Sequence, residues 1–317
     1  MTSHQHPSPP HVRFYDVHSA DGTRLRAWTN DADGPTVLIS NGLGANPFMW
    51  PSLLHQDCGV RVVSWNHRGV GGSERPASGR ANLDSYIEDA VAVMDHTGIT
   101  SAVIPSWSHG VTIAFELAAR HPERVDGILA VAGVPGDTFS TMLAPFRLPR
   151  PIAKQVMVNV TRAGYYGGHA LAPIIKRIPW TNLSASAVQR VGFVSREAET
   201  DHLRIMLREF CTTDPRWYAH LALGVSQGAR VRLSGIRVPV TFIAGKNDIL
   251  TGARDMKTAS QRILDSKYIE LRGTHFLPLE QPDLVRDEIH TLLDKVAAQK
   301  KPAKAKVATA KKPAAKS

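Results

Sequence analysis

Cysteine is nearly absent: Cys58 and Cys211 are the only two in 317 residues, and neither sits in a Cys-x-x-Cys or Cys/His spacing. That argues against a disulfide framework and against a zinc site. Both thiols are expected as small buried hydrophobes. Long apolar runs are missing too. No stretch approaches the roughly 20 residues a membrane-crossing helix needs, and Met1 to Pro10 hold neither the basic nor the apolar part of a signal peptide. The expected location is the cytoplasm, with peripheral attachment to a membrane as its variant. Gly69-Val70-Gly71-Gly72 lacks the spacing and the Lys-Ser/Thr ending of a phosphate loop, and reads as a structural turn. No metal and no organic cofactor is expected.

The net charge of +10 suggests a polyanion partner until it is divided along the chain. Residues 298–317 carry seven Lys and no acid, and residues 138–228 carry eleven Arg or Lys against five Asp or Glu. The remainder is slightly acidic, so specific nucleic-acid binding is not expected. The tail is a different matter, because its lysines suit an anionic membrane surface or a polyanion.

A hydrophobic content of 43% suffices for a large core. Branched apolar runs alternate with helical patterns, which predicts an α/β fold: a mostly parallel sheet of eight strands with helices on both faces. The strand candidates are 12–17, 25–29, 36–40, 62–65, 101–105, 127–131, 238–244 and 267–271, and the helix candidates are 83–95, 111–120, 253–264 and 282–296. The alternation stops over 137–228, a proline-bearing stretch of short helix-like pieces too long for a loop. It is expected to be a helical cap on a core made of 12–136 and 229–297. Residues 1–11 and the Lys/Ala/Pro tail 298–317 are expected to be disordered.

Within this frame Ser106-Trp107-Ser108-His109-Gly110 joins a strand to a helix. A serine at such a turn is held clear of the sheet, with the free N–H groups and positive dipole end of the helix beside it. Asp248, in Gly245-Lys246-Asn247-Asp248, and His275, in Gly273-Thr274-His275-Phe276, each follow a later strand. Both therefore belong on the sheet edge that presents Ser108. Nucleophile, acid and base follow one another in the order that a strand-turn-helix nucleophile requires. Asp137 is the rival for the acid. Asp255 falls inside a helix and is a weaker one.

With these segments in view the chain resembles a capped member of the α/β-hydrolase superfamily over about residues 12–297. Ile39-Ser40-Asn41-Gly42-Leu43-Gly44 resembles the family's oxyanion loop, and Asn66-His67-Arg68-Gly69-Val70-Gly71-Gly72-Ser73 its Asp-x-Arg-Gly-x-Gly-x-Ser turn. Ser106, Asn41 and Asn66 depart from the family pattern without removing a catalytic atom. The resemblance implies a serine hydrolase that forms an acyl-enzyme. Ser108 would be the nucleophile, His275 the base and Asp248 its orienting acid, with the backbone N–H groups of Leu43 and His109 as oxyanion donors.

The implied substrate is a small, lipid-like carboxylic ester with an apolar acyl part. Thioester or carbon–carbon hydrolysis on the same triad is an alternative, and so is a non-catalytic binding module tethered by its tail. The wall of the acyl pocket is expected from Phe48, Met49 and Trp50 and from apolar cap residues such as Met142, Leu148, Ile152, Val156 and Val158. Those cap residues could equally pack on the body.

Overall fold

The branched apolar runs become one sheet of eight strands in the computed structural model of the chain. It describes residues 10–143, 146, 148–175 and 177–300. The strands are β1 (Arg13–His18), β2 (Arg24–Thr29), β3 (Thr36–Ile39), β4 (Arg61–Trp65), β5 (Ala102–Trp107), β6 (Val125–Val131), β7 (Val240–Gly245) and β8 (Ser266–Leu271). They lie across the sheet in the order β1-β2-β4-β3-β5-β6-β7-β8. β2 pairs antiparallel with β1 and β4, and every later pairing is parallel. Each strand falls within two residues of its expected position. The central strands β5 and β7 are buried along their whole length, which is why they read as continuous apolar runs.

Helices α1 (Leu83–His96) and α2 (His109–Arg120) follow β4 and β5. Four more, α3 (Arg150–Ile175), α4 (Asn182–Arg190), α5 (Thr200–Phe210) and α6 (Pro215–Ser226), stand between β6 and β7. The chain closes with α7 (Ala253–Ser260), α8 (Leu277–Glu280) and α9 (Pro282–Lys300). Side chains of α1, α2 and α7 fill one core layer on the sheet, and α9 fills the other together with the turn at Met49–Leu54. The α1 start is capped by the Asn82 side chain, which accepts from the Ser85 N–H, and the α6 start by Asp214, which accepts from Trp217.

Three expectations shift. The stretch 137–228 contains one long helix, α3, where short pieces were expected. Pro151 sits in the first turn, where no N–H is needed, and Pro173 lies inside the helix but is followed by only two more helical residues. The helix α9 continues to Lys300, beyond the boundary placed at Ala297. Ala297, Ala298 and Gln299 are strong helix formers, and the Lys300 ammonium pairs with Asp126 at 2.7 Å. At the other end, the expected boundary at Val12 moves outward, because the His11 N–H donates to the Leu54 carbonyl. Residues 1–9 and 301–317, to which disorder was assigned, lie outside the described residues.

The turn after β4 is fixed by a buried charge. Arg68 is fully buried, and its guanidinium donates to both oxygens of the equally buried Asp89 at 2.7–3.2 Å, to Ser19 Oγ at 3.0 Å and to Asp21. The carboxylate Asp21 is held at about 2 against the cost of its burial by hydrogen bonds from Thr23 and Arg68. For Asp89 the pKa is instead raised, because burial outweighs the Arg68 contact. Removing the cation strands that carboxylate. Arg68→Ala is expected to destabilise the fold by about 3–5 kcal/mol, read as a fall in the denaturant midpoint. A shift of under about 1 kcal/mol would mean that the pair behaves like an exposed one.

Candidate active site

The Ser108 backbone has φ 56° and ψ −122°, a conformation that L residues rarely adopt. It persists because both flanks are locked. The Ser108 N–H bonds the Val131 carbonyl at 3.0 Å, and the Trp107 N–H bonds the Ser40 carbonyl at 3.1 Å. Helix α2 starts at once, and it approaches β3 so closely that a Cβ on Gly110 would lie 1.9 Å from the Ser40 oxygen. Ser106, where the family pattern has glycine, is buried, and its hydroxyl donates to the Leu129 carbonyl at 2.8 Å. A small polar side chain is thereby accommodated inside the elbow.

The structure brings the three sequence-predicted side chains together. Ser108 Oγ lies 2.8 Å from His275 Nε2, and His275 Nδ1 lies 2.8 Å from Asp248 Oδ2. The other oxygen of Asp248 accepts from the N–H groups of Leu250 and Thr251, each at 2.8 Å. Its side chain is fully buried, and that of His275 nearly so. Asp137, the rival acid, points elsewhere: it accepts from Ser140 Oγ and Lys154 Nζ and pairs with Arg230. Asp255 is engaged by Arg150.

Leu43 stands in the loop after β3, and His109 is the first residue of α2. Among the described residues the N–H of neither is taken up by another protein group. Asn41, where the family has histidine, holds this loop: its Oδ1 accepts from Trp50 Nε1 and from the Gly42 N–H.

A cavity of about 290 Å³ opens onto Ser108 and His275. Leu43, Met49, Phe139, Met142, Met157 and Met206 are among its walls, and among the described residues no Lys, Arg, Asp or Glu lines it. Of the expected wall residues, Met49 and Met142 are there, and Met157 joins them unforeseen. Trp50 is instead packed in the core, and Ile152 and Val156 point outward from α3. Helix periodicity decides this, since Met157 and Thr161 lie on the face opposite to Ile152 and Val156.

Three contributions went unread in the sequence. Trp107 Nε1 donates to the His275 carbonyl at 2.7 Å and its ring lies 5.2 Å from the imidazole, which fixes the loop that carries His275. Glu280 is buried and accepts from the Thr274 N–H and from the Ser195 N–H, both at 2.7 Å, joining that loop to the segment between α4 and α5. Neither has a local motif; only the fold places them.

The third is a cluster of aromatic rings behind Ser108. His67, Tyr86 and His109 meet with ring centroids 5.0–6.3 Å apart. Both ring nitrogens of His109 and Nε2 of His67 are buried with no hydrogen-bond partner among the described residues. Burial lowers the His67 pKa from 6.5 to about 4, and burial together with His67 lowers that of His109 to about 3. Both rings are therefore neutral in the folded protein near neutrality.

The unfolded chain protonates near 6.5, so it binds more protons than the fold below that pH. Stability contributed by these groups is full above about pH 6.5 and is lost as the pH falls toward 4. The melting temperature is expected to drop between pH 7 and pH 5, and His109→Met to flatten that drop. A melting temperature that is level over the interval in the unmodified chain would contradict it.

Comparison with known proteins finds relatives of the chain. Residues 35–157 match the model of the alpha/beta hydrolase fold family. The chain is 24% identical over 291 residues, 90% of its own length and 98% of the other's, to 3-oxoadipate enol-lactonase 2 of Acinetobacter baylyi. It is 42% identical over 113 residues, 33% of its length and 38% of the other's, to 2-hydroxymuconate semialdehyde hydrolase of Pseudomonas sp. strain CF600. Among solved structures it superposes on the enol-lactonase from Burkholderia xenovorans LB400 with a TM-score of 0.67 at 23% identity. That superposition covers 89% of this chain and 100% of that one.

Proposed function

Since the chain belongs to the α/β-hydrolase superfamily, we propose that it is a serine hydrolase that cleaves neutral carboxylic esters with an apolar acyl part. The single observation that carries this reading is the unbroken chain Asp248, His275, Ser108, with 2.8 Å at each link, ending in a cavity whose described lining residues carry no formal charge apart from the His rings.

The chemistry follows from the contacts. Asp248 accepts a hydrogen bond from Nδ1 of His275, which leaves Nε2 unprotonated and facing Ser108 Oγ. As Oγ attacks the ester carbonyl, Nε2 takes its proton, and the buried carboxylate stabilises the imidazolium. The carbonyl oxygen becomes an oxyanion, for which the N–H groups of Leu43 and His109 are the donors. His275 then protonates the leaving alcohol. A water deprotonated by the same nitrogen releases the acid from the acyl-enzyme.

The cavity wall selects the acyl part. An ionised carboxylate would meet no Lys or Arg on the lining residues and would lose its hydration without compensation. A panel of p-nitrophenyl esters tests this. The kcat/KM is expected to rise by about fourfold per added methylene, from burial of about 0.8 kcal/mol each, and to level off once the chain fills the 290 Å³ cavity. Esters with a terminal carboxylate are expected to be poor substrates. A flat series, or a preference for the anionic esters, would overturn the apolar-acyl reading.

A further inference from the structure

Helix α3 is apolar on two opposite sides. One side, with Met157 and Thr161, closes the cavity over Ser108. The other carries Ile152, Val156, Val160, Leu171 and Ile174, which are 51%, 39%, 58%, 45% and 62% exposed. Their spacing keeps all five within about 100° of one another around the helix axis. Tyr166, 78% exposed, flanks the row. Five large aliphatics aligned on one exposed face are far from the scattered single residues of an ordinary surface.

The charge around this face has one sign. Between Asp137 and Glu197 the chain has eight Lys or Arg and no Asp or Glu. The two acids that reach α3 from the body, Asp137 and Asp255, are already engaged by Lys154 and Arg150. Arg162 and Arg177 are exposed and have no acidic partner among the described residues. A second copy seated two-fold on this face would set these cations against their own kind. A nucleic acid would leave the aliphatic row unburied. An anionic lipid surface satisfies both, taking the aliphatics below its headgroups and the guanidinium groups among them.

We infer that the outward face of α3 is a docking surface for an anionic phospholipid bilayer, on which the helix lies flat. Among the described residues no helix is long and apolar enough to cross a membrane, so the contact is peripheral. The inner side of the same helix closes the acyl cavity, and Phe193, which lines that cavity, is itself 40% exposed. Docking therefore puts the cavity beside the pool of acyl chains. This rests on the hydrolase reading only for its purpose; the binding itself does not require catalysis.

The test is sedimentation of the full chain with vesicles of phosphatidylcholine, and with vesicles of equimolar phosphatidylcholine and phosphatidylglycerol. The unmodified chain and Ser108→Ala are expected to bind the anionic vesicles equally and the neutral ones more weakly. Val160→Asp with Ile174→Asp should weaken anionic binding by about tenfold or more, with an unchanged melting temperature because both sites are exposed. Arg162→Glu with Arg177→Glu gives a second variant that leaves the aliphatic row intact and should also bind less. A full chain with Lys304, Lys306, Lys311, Lys312 and Lys316 changed to Gln should keep the binding that depends on Val160 and Ile174.

Unimpaired binding by both α3 variants, binding that vanishes only in the lysine variant, or equal binding to neutral vesicles would each overturn the inference. So would a dimer in the unmodified chain that Val160→Asp with Ile174→Asp dissolves, since the face would then belong to a second copy. Failure of ester turnover with vesicle binding intact would instead refute the hydrolase reading alone.

Discussion

Ser108→Ala is expected to lower ester turnover on the order of 10⁶-fold and to abolish covalent labelling by a fluorophosphonate. The hydroxyl is the only atom group lost. It makes no capping bond at the start of α2, so the elbow stands without it and the melting temperature should hold. What remains is the rate supplied by the N–H groups of Leu43 and His109 and by the apolar cavity, which act on a water in place of Oγ. A variant that keeps its turnover and its labelling would move the nucleophile elsewhere and end the assignment. Loss of turnover with unchanged thermal stability separates chemistry from folding.

The second large effect belongs to Asp248→Asn, expected to reduce kcat by about 10⁴-fold. The size follows from the way the carboxylate is shared. One oxygen accepts from the N–H groups of Leu250 and Thr251, and the other accepts from His275 Nδ1. An amide has one acceptor oxygen, and two backbone donors claim it. The NH2 then faces His275, so Nδ1 must accept and Nε2 must carry the proton. In that tautomer the imidazole cannot take a proton from Ser108. Stopped-flow acylation should show the loss in the first step, with the ground-state KM little changed. A loss below about tenfold would show that the base is oriented chiefly by other contacts, with Trp107 Nε1 on the His275 carbonyl as the leading one.

Much of the fold was legible because parallel strands buried on both faces must be written as unbroken apolar runs, as in Val240–Gly245. The turn at Ser106 to Gly110 was legible for a similar reason, since only small side chains fit where α2 crosses β3. Asp248 and His275 could be assigned from their places at strand ends. Other features had no local trace. Arg68 stands in a motif-like turn, but its buried partner Asp89 looks like an ordinary surface charge of a helix in sequence. Glu280 reads as a helix-terminal acid, although it ties together the His275 loop and Ser195. In the same way His109 was placed for its N–H, while the burial of its ring beside His67 and Tyr86 arises from packing alone.

Helix α3 marks the dividing line. By itself the sequence determined that residues 137–228 are helical and basic, and that a serine, an acid and a base stand at successive strand ends, because those properties are written in periodicity, charge and chain order. Only the tertiary structure set aside the rival Asp137, which turns to Lys154 and Arg230, and decided which side of α3 covers the cavity. A helix that is apolar on two opposite sides names no inside. Its inside is the face turned to α6 and to the turn at Thr138–Ser140, which leaves Ile152, Val156, Val160, Leu171 and Ile174 facing out.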